Sequence, residues 1–293
     1  MIPVLAIVGP TASGKTALAL DLAERMGGEI VNADAMQLYR GMDIGTAKTP
    51  VAERRGIPHH QIDVLDVTDD AAVATYQRKA RGDVVGIRER GNVPIVVGGS
   101  GLYLRALLDE MEFPGTDPEV RASVSARAEE IGGVALHREL AGKDPAAAAA
   151  IDPRNVRRVV RALEVIEITG RPFTATLPRQ EYVTPTIQVA LAVERDELRK
   201  RIAARVDQMI AHGFADEVAA LGPVSKTAAG ATGYPEMRAY LAGEITPDEA
   251  REAIVVATAR LAKRQMTWFR RDTRIEWFED AAAALAAITA RGV

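Results

Sequence analysis

Gly9-Pro10-Thr11-Ala12-Ser13-Gly14-Lys15-Thr16 is the stretch on which the reading of this 293-residue chain turns. It matches G-x-x-x-x-G-K-[ST] in full. The apolar run Pro3 to Val8 before it predicts a buried strand ending at Gly9, and Leu18, Leu22 and Met26 after it predict one face of a helix that follows Thr16. Strand, glycine-rich loop and helix in that order make a phosphate cradle. The glycines let backbone N–H groups close around phosphate oxygens, the helix N-terminus adds its dipole, Lys15 neutralises charge and Thr16 offers a hydroxyl to Mg2+. The residues Gly9, Pro10, Thr11, Ala12, Ser13, Gly14, Lys15 and Thr16 are therefore the expected diphosphate or nucleotide site, with Thr16 as the metal contact. The motif alone does not separate a kinase, a hydrolase, a signalling switch or another diphosphate chemistry.

Downstream, Glu29 to Asn32 and Val93 to Val97 predict two further strands. The first is followed by Asp34, the second by Gly98-Gly99-Ser100-Gly101 and a helix over Leu102 to Leu108. Apolar strands alternating with helices predict an α/β fold: a P-loop NTPase-like core with a parallel sheet flanked by helices. From Pro114 to about Tyr182 strand signals vanish, and turns at Gly132-Gly133, Asp152-Pro153 and Gly170 separate several helices. A helical insertion domain is thus expected over 114–185, between a first core part, 1–113, and a second, 186–293. Ile187 to Val193 restores a buried strand, a helix carrying Leu198, Ile202, Met209 and Ile210 follows, and Ile275 to Phe278 reads as a last strand. Thr246 and Glu249 have capping-box spacing around Pro247, opening a helix that runs to about Trp268.

A composition of 47% hydrophobic and 26% charged residues supplies a packed core. No apolar run reaches membrane-spanning length and the apolar start lacks the basic flank of a signal peptide, so a cytoplasmic protein without membrane association is expected. The absence of cysteine excludes disulfides, thiolate nucleophiles, iron–sulfur clusters and cysteine-ligated zinc. His59 and His60, as neighbours, face different directions in regular structure and read as structural. A formal charge of −3 gives no global attraction to nucleic acid, so any such binding must be local.

Two local basic faces are present. Arg154, Arg157, Arg158 and Arg161 follow i, i+3, i+4, i+7 spacing beside an apolar face of Val156, Val159, Val160 and Leu163. The terminal helix carries Arg260, Lys263, Arg264, Thr267, Arg270 and Arg271, with Trp268 beside them. Such faces suit RNA phosphates and an unstacked base, and each taken singly reads equally well as a solvated face paired with acids.

Hydrolytic P-loop proteins carry an acid at the end of a later core strand. Here Pro94 to Val97 ends in Gly98-Gly99-Ser100, which counts against a motor or switch. The acid nearest the cradle in sequence is Asp34, on the sheet edge where parallel-sheet proteins bind ligands. A carboxylate there can accept a proton from a nucleophile, or it can serve as a cap or turn residue. A kinase would also place an acid there.

The run Asn32-Ala33-Asp34-Ala35-Met36-Gln37-Leu38-Tyr39-Arg40-Gly41-Met42-Asp43-Ile44-Gly45-Thr46-Ala47-Lys48 resembles the signature of the tRNA dimethylallyltransferase (isopentenyltransferase) family. Pro58-His59-His60, Gly98-Gly99-Ser100-Gly101-Leu102-Tyr103, Asn155 to Val165, and Ala262-Lys263-Arg264-Gln265-Met266-Thr267-Trp268-Phe269-Arg270 fall in the family's order, so the likeness covers nearly the whole chain. It implies transfer of a dimethylallyl group from dimethylallyl diphosphate to N6 of adenosine 37, next to the anticodon, with release of diphosphate. The cradle would then hold an isoprenoid diphosphate with Mg2+ near Thr16, and no ATP would be consumed.

By the same resemblance Asp34 is the base, Arg121 stabilises the diphosphate, and Thr11 and Ser100 are hydroxyl donors near the diphosphate or the target base. The tRNA contacts it implies are Asp34, Ala35, Met36, Gln37, Ser100, Arg121, Arg154, Arg157, Arg158, Arg161, Lys263, Arg264 and Arg270. The tRNA anticodon arm is the expected partner and a monomer the expected state. Ala35 stands where many members have Ser, Ser100 where Thr is common, and Pro235 where a basic residue is common. By the resemblance, the bacterial form, without a zinc-finger extension, is expected. Three rivals remain: prenylation of free AMP, which would leave the insertion's arginines superfluous; a small-molecule P-loop kinase; and a non-catalytic RNA-binding protein that retains the loop.

Overall fold

The computed structural model describes residues 1–176 and 180–291; residues 177–179, in the expected insertion, and 292–293, at the end of the expected second core part, lie outside that description. The described chain forms two compact units, Met1–Leu108 with Tyr182–Val293, and Asp109–Glu181.

The first unit begins β1 (Val4–Val8), α1 (Lys15–Met26), β2 (Gly28–Asn32), β3 (His59–His60), α2 (Val73–Glu89), β4 (Val93–Gly98) and α3 (Gly101–Leu108). The second unit consists of α4 (Pro118–Ile131), α5 (Gly133–Lys143), α6 (Pro145–Ala150) and α7 (Val156–Thr169), with a short 3₁₀ turn at Phe173–Thr176. The chain then adds to the first unit β5 (Thr186–Leu191), α8 (Arg195–Ala211), α9 (Phe214–Ala220), α10 (Lys226–Ala229), α11 (Tyr234–Leu241), α12 (Pro247–Phe269), β6 (Ile275–Phe278) and α13 (Ala281–Thr289).

The six strands form one parallel sheet in the order β3-β2-β4-β1-β5-β6. Every residue of β1 is buried, because successive side chains enter opposite layers. Val4, Ala6 and Val8 pack with Tyr76, Ala80 and Ile87 of α2 and Leu104 and Leu107 of α3. Leu5 and Ile7 pack on the other face with Leu18 and Leu22 of α1 and Ala284 and Ile288 of α13. A third cluster, built on Tyr39, Met42, Phe214, Val218, Tyr234 and Ile254, joins the segment after β2 to α9, α11 and α12.

Because β2, β4 and β1 are neighbours, their carboxyl ends lie side by side, so the loops after Val8, Asn32 and Gly98 converge on one edge. The approach is close enough to require glycine. A Cβ on Gly98 would lie 2.3 Å from the Ala33 carbonyl oxygen, and one on Gly99 would lie 2.3 Å from Nε2 of Gln265.

Three features of this unit have weak sequence signals: the two-residue edge strand β3, the long α2, and the short helices α9 to α11. The histidines of β3 are structural. His60 Nε2 lies 2.7 Å from the Glu29 carboxylate and His59 Nδ1 lies 2.8 Å from the Ile57 carbonyl. Glu29 also accepts from Arg90 and Asn92, which together with His60 hold its carboxyl down at about 2 despite burial.

In the helical unit Val124, Leu136, Leu140, Val159 and Leu163 form the core. Asp117, Asp144 and Asn155 cap α4, α6 and α7 by accepting backbone N–H bonds. The cap on α7 corrects one expectation. Arg154 precedes the Asn155 cap and so lies outside the helix, where the Asp152 carboxylate accepts from its backbone N–H and its guanidinium. The helical arginine face is therefore Arg157, Arg158 and Arg161.

Candidate active site

The phosphate loop leaves β1 at Gly9 (φ 144°), turns left-handed at Ala12 (φ 62°) and Gly14 (φ 94°), and enters α1 at Lys15. No side chain among the described residues caps α1, which leaves its first N–H groups available to an anion in the loop. Ser13 Oγ is buried there with no hydrogen-bond partner among the described residues. Lys15 Nζ folds back onto the Pro10 carbonyl at 3.2 Å. Burial pulls the Lys15 ammonium down to about 8, against the opposing pull of the Asp34 charge.

Asp34 stands at the end of β2. Its Oδ1 accepts from Met36 N at 3.1 Å, while burial raises its carboxyl above the ordinary range and Lys15 and Arg205 oppose the rise. Ser100, at the end of β4, uses its hydroxyl to accept from Ala35 N at 3.2 Å, and so fixes the segment beside Asp34. Gln37 Nε2 donates to the Thr46 carbonyl at 3.1 Å and closes the signature segment on itself. That segment is clamped by Glu217 of α9, whose carboxylate accepts from the N–H groups of Asp43, Ile44 and Gly45 and from the Tyr234 hydroxyl.

A pocket of about 80 Å³ opens among these parts. Thr11, Asp34, Arg205, Thr258 and Gln265 give it polar points, and Met36, Val206, Met209, Phe214, Ile254 and Leu261 give it an apolar wall. Gln265 bridges two loops here, accepting from Thr11 N at 2.9 Å and donating to the Gly99 carbonyl at 3.1 Å. Arg205 Nη1 donates to Thr11 Oγ1 at 3.1 Å. A wider groove runs from Thr16 past Lys48, Arg54 and Gln208 to His212.

The structure thus brings Thr11, Asp34 and Met36 to one pocket and sets Ser100 behind the Asp34 segment. Arg205 and Gln265 join them without having been singled out for a role from the sequence. Arg205 had one legible signal: it is a cation on the α8 face that also carries Ile202, Val206 and Met209. Lys263, Arg264 and Arg270 are exposed on and just after α12, and Arg105 lies over the Trp268 ring at 4.8 Å. In the helical unit Arg121 and Arg161 both hold the buried Glu164, and Arg161 also donates to the Pro114 and Gly115 carbonyls. Arg157 and Arg158 are exposed, and no described residue engages their side chains.

Phosphate loop, strand-end carboxylate and partly apolar pocket together define a P-loop α/β enzyme with a site suited to a phosphate- or diphosphate-bearing substrate. The chain belongs to the IPP transferase family, whose model matches residues 37–272. It is 56% identical over 280 residues to a tRNA dimethylallyltransferase of a Nocardioides strain, covering 94% of this chain and 90% of the relative. It is 55% identical over 284 residues to one of Streptomyces coelicolor, covering 96% and 91%. Among solved structures it is similar to the full-length tRNA isopentenylpyrophosphate transferase of Bacillus halodurans, with 41% identity, TM-score 0.71 and coverage of 98% and 94%. A eukaryotic dimethylallyltransferase captured acting on tRNA aligns with TM-score 0.83 at 26% identity, covering 96% of this chain and 74% of that one.

Proposed function

We propose that the protein transfers the dimethylallyl group of dimethylallyl diphosphate to N6 of adenosine 37 in tRNA, giving N6-isopentenyladenosine and diphosphate. The observation that carries this reading is that Asp34 and Thr11 of the phosphate loop line one pocket whose other wall is apolar. A nucleophile, a diphosphate and a five-carbon chain need those three surfaces together.

The N6 lone pair forms the new bond to the allylic carbon while the carbon–oxygen bond breaks and its electron pair leaves on diphosphate. An exocyclic adenine amine is a poor nucleophile, and the positive charge developing on it is relieved by passing a proton to Asp34. Asp34 Oδ1 is held by Met36 N, and Oδ2 accepts no bond from a described residue, which makes Oδ2 the proton's destination. Lys15, the α1 N-terminus, Thr11 and Arg205 receive the charge that accumulates on the leaving diphosphate. Asp34 works as an acceptor only if ionised, and the two cations near it favour that form.

Mg2+ fits this cradle. No group of three or more His, Cys, Asp or Glu side chains among the described residues could hold a metal alone, and Mg2+ commonly binds through one or two protein ligands plus phosphate oxygens and water. Thr16 would hold the ion, which would neutralise part of the diphosphate charge.

Arg157 and Arg158 of the helical unit, with Lys263, Arg264 and Arg270, are the exposed cations proposed to meet the phosphates of the anticodon arm. Arg121, Arg154 and Arg161 can join them only by sharing the carboxylates they already hold. Ala35, Met36 and Gln37 would border the flipped base beside Asp34 and Ser100. We assign the protein to the cytoplasm as a monomer; among the described residues no helix is long and apolar enough to cross a membrane.

The test is transfer of labelled dimethylallyl from its diphosphate to unmodified tRNA carrying A36 and A37, with parallel reactions on AMP and with ATP. Label in the tRNA is the expected result. Label in AMP alone, or ATP turnover without transfer, would overturn the reading.

A further inference from the structure

Asp34 is gripped from behind by one buried carboxamide. Asn32 closes β2 and is 3% exposed. Its Oδ1 accepts from Asp34 N at 2.9 Å, and its Nδ2 donates to the Asp34 carbonyl at 3.0 Å and to the Gln61 carbonyl at 2.9 Å. Both backbone polar groups of Asp34 therefore end on the same side chain, while of the carboxylate Oδ1 is held by Met36 N and Oδ2 is left to the pocket. Only a primary amide of this length supplies an acceptor and two donors from one planar group.

The backbone of Asn32 is held as well. Its main-chain carbonyl accepts from the hydroxyl of Tyr76, a buried α2 residue, at 2.8 Å. Gln61, left-handed at φ 57°, presents its carbonyl to Asn32 while its Nε2 donates to Asp83 of α2 at 2.6 Å. A turn that only had to reverse the chain would need one of these bonds. The full set fixes Asn32, and through it Asp34, from the segment after β3 and from α2.

We propose that Asn32 is the positioning residue of the transfer: its carboxamide sets the Asp34 backbone so that the carboxylate meets the N6 proton. This rests on Asp34 being the proton acceptor. Displacement of a reacting group by about 1 Å costs roughly a hundredfold in rate, so loosening this grip acts on turnover, whereas the phosphate loop, anchored separately by Gln265, keeps its hold on the donor.

The test compares Asn32→Ala, Asn32→Asp and Asp34→Asn by steady-state transfer to tRNA, with thermal unfolding of each. Both Asn32 variants should lower kcat about ten- to a hundredfold, with KM for donor and for tRNA within about twofold of wild type. Asn32→Asp adds a readout that a purely structural role would not move. Its introduced carboxylate faces the Asp34 and Gln61 carbonyl oxygens, and protonation restores one donor, so its deficit should shrink as pH falls. The deficit of Asn32→Ala should track the wild-type profile instead. Asp34, Lys15, Arg205, Tyr76, Tyr103, Asp83 and His60 are the titratable or charged groups around this segment; Asn32→Ala leaves their charges as they are, and only Asn32→Asp adds one.

Wild-type kcat in both Asn32 variants beside an inactive Asp34→Asn overturns the positioning role and leaves the base intact. An active Asp34→Asn overturns the base itself, and the inference with it. Parallel losses of kcat and both affinities would reduce Asn32 to a general structural residue. Should Asn32→Ala fail to fold, the isosteric Asn32→Asp decides.

Discussion

Arg205 Nη1 donates to Thr11 Oγ1 across 3.1 Å, so helix α8 places a cation on the phosphate loop at the point where that loop faces Asp34. The residue sits on a helix face shared with Ile202 and Val206, and desolvation pulls its guanidinium below the usual arginine value. A cation kept in such surroundings acts strongly on nearby charge, because little water screens it.

Arg205→Ala should lower kcat/KM for transfer by about a hundredfold or more, the scale seen when one preorganised charge donor is lost. It should also shift the pH profile. Burial raises the Asp34 carboxyl and Arg205 opposes the rise, so removing Arg205 raises it further. Activity that requires the carboxylate then fails at a higher pH on the acid side. An acid limb that stays in place would show that Arg205 serves the diphosphate alone.

Lys15 gives a second pH dependence of opposite sense. Its ammonium is pulled to about 8 in the free protein, from an ordinary 10.5, so the loop loses its charge as pH rises through 8. Donor or diphosphate affinity, measured by calorimetry between pH 7 and 9.5, should weaken above that point, and binding below it should take up little or no proton. The same shift has a sign for stability. The unfolded chain binds more protons than the folded one between 8 and 10.5, so this group makes the fold more stable with rising pH across that window. Lys15→Met should remove both trends.

The core of this arrangement was legible in the sequence because each element carried its own punctuation. Val4–Val8 is a continuous apolar run closed by the phosphate motif, and α12 opens on the Thr246–Glu249 capping box that the structure shows closed in both directions. β3 was not legible, because a two-residue strand has no periodicity; what places it is parallel pairing of His59 and His60 with Ile30 and Val31. Arg154 misread as helical because spacing alone does not show that Asn155 is the cap. Arg205, Gln265 and Glu217 lie far in sequence from the loops they serve, 194 residues in the case of Arg205 and Thr11, and no local pattern records such a pairing.

Glu217 supplies a stability prediction with a functional edge. Its Oε2 accepts from Asp43 N and Ile44 N at 2.8 and 2.6 Å, and its Oε1 from Gly45 N and the Tyr234 hydroxyl at 3.0 and 2.7 Å. Glu217→Gln would turn an amide NH2 toward two donors, leaving them unsatisfied, at a cost of about 2 to 3 kcal/mol in denaturant unfolding. Gly45 and Thr46 line the pocket, so donor KM should rise as well. Gly45→Ala tests the same wall by crowding, since its Cβ would lie 2.3 Å from Phe214 Cε2 and 2.6 Å from Tyr234 Cε2. Overpacking of this kind costs about 1 to 3 kcal/mol.

The arginines of the helical unit divide into two kinds, and the division predicts different phenotypes. Arg157 and Arg158 are exposed and engaged by no described residue, so their charge is available to phosphates. Arg157→Ala with Arg158→Ala should weaken tRNA binding, lower the slope of log K against log salt by about 1 to 2, and leave unfolding unchanged. Arg161 is committed to the fully buried Glu164 and to the Pro114 and Gly115 carbonyls, while Arg121 holds the same carboxylate. Burial alone would push the Glu164 carboxyl up, yet with these two arginines it stands below its ordinary value, so it is ionised and dependent on them. Arg161→Ala should therefore destabilise the helical unit, by about 3 kcal/mol if Arg121 cannot compensate, because it strips one partner from a buried charge. Its effect on tRNA affinity should then follow the loss of structure and not the salt slope. A salt slope lowered by Arg161→Ala in a protein of undiminished stability would instead make Arg161 an RNA contact that holds Glu164 only between encounters.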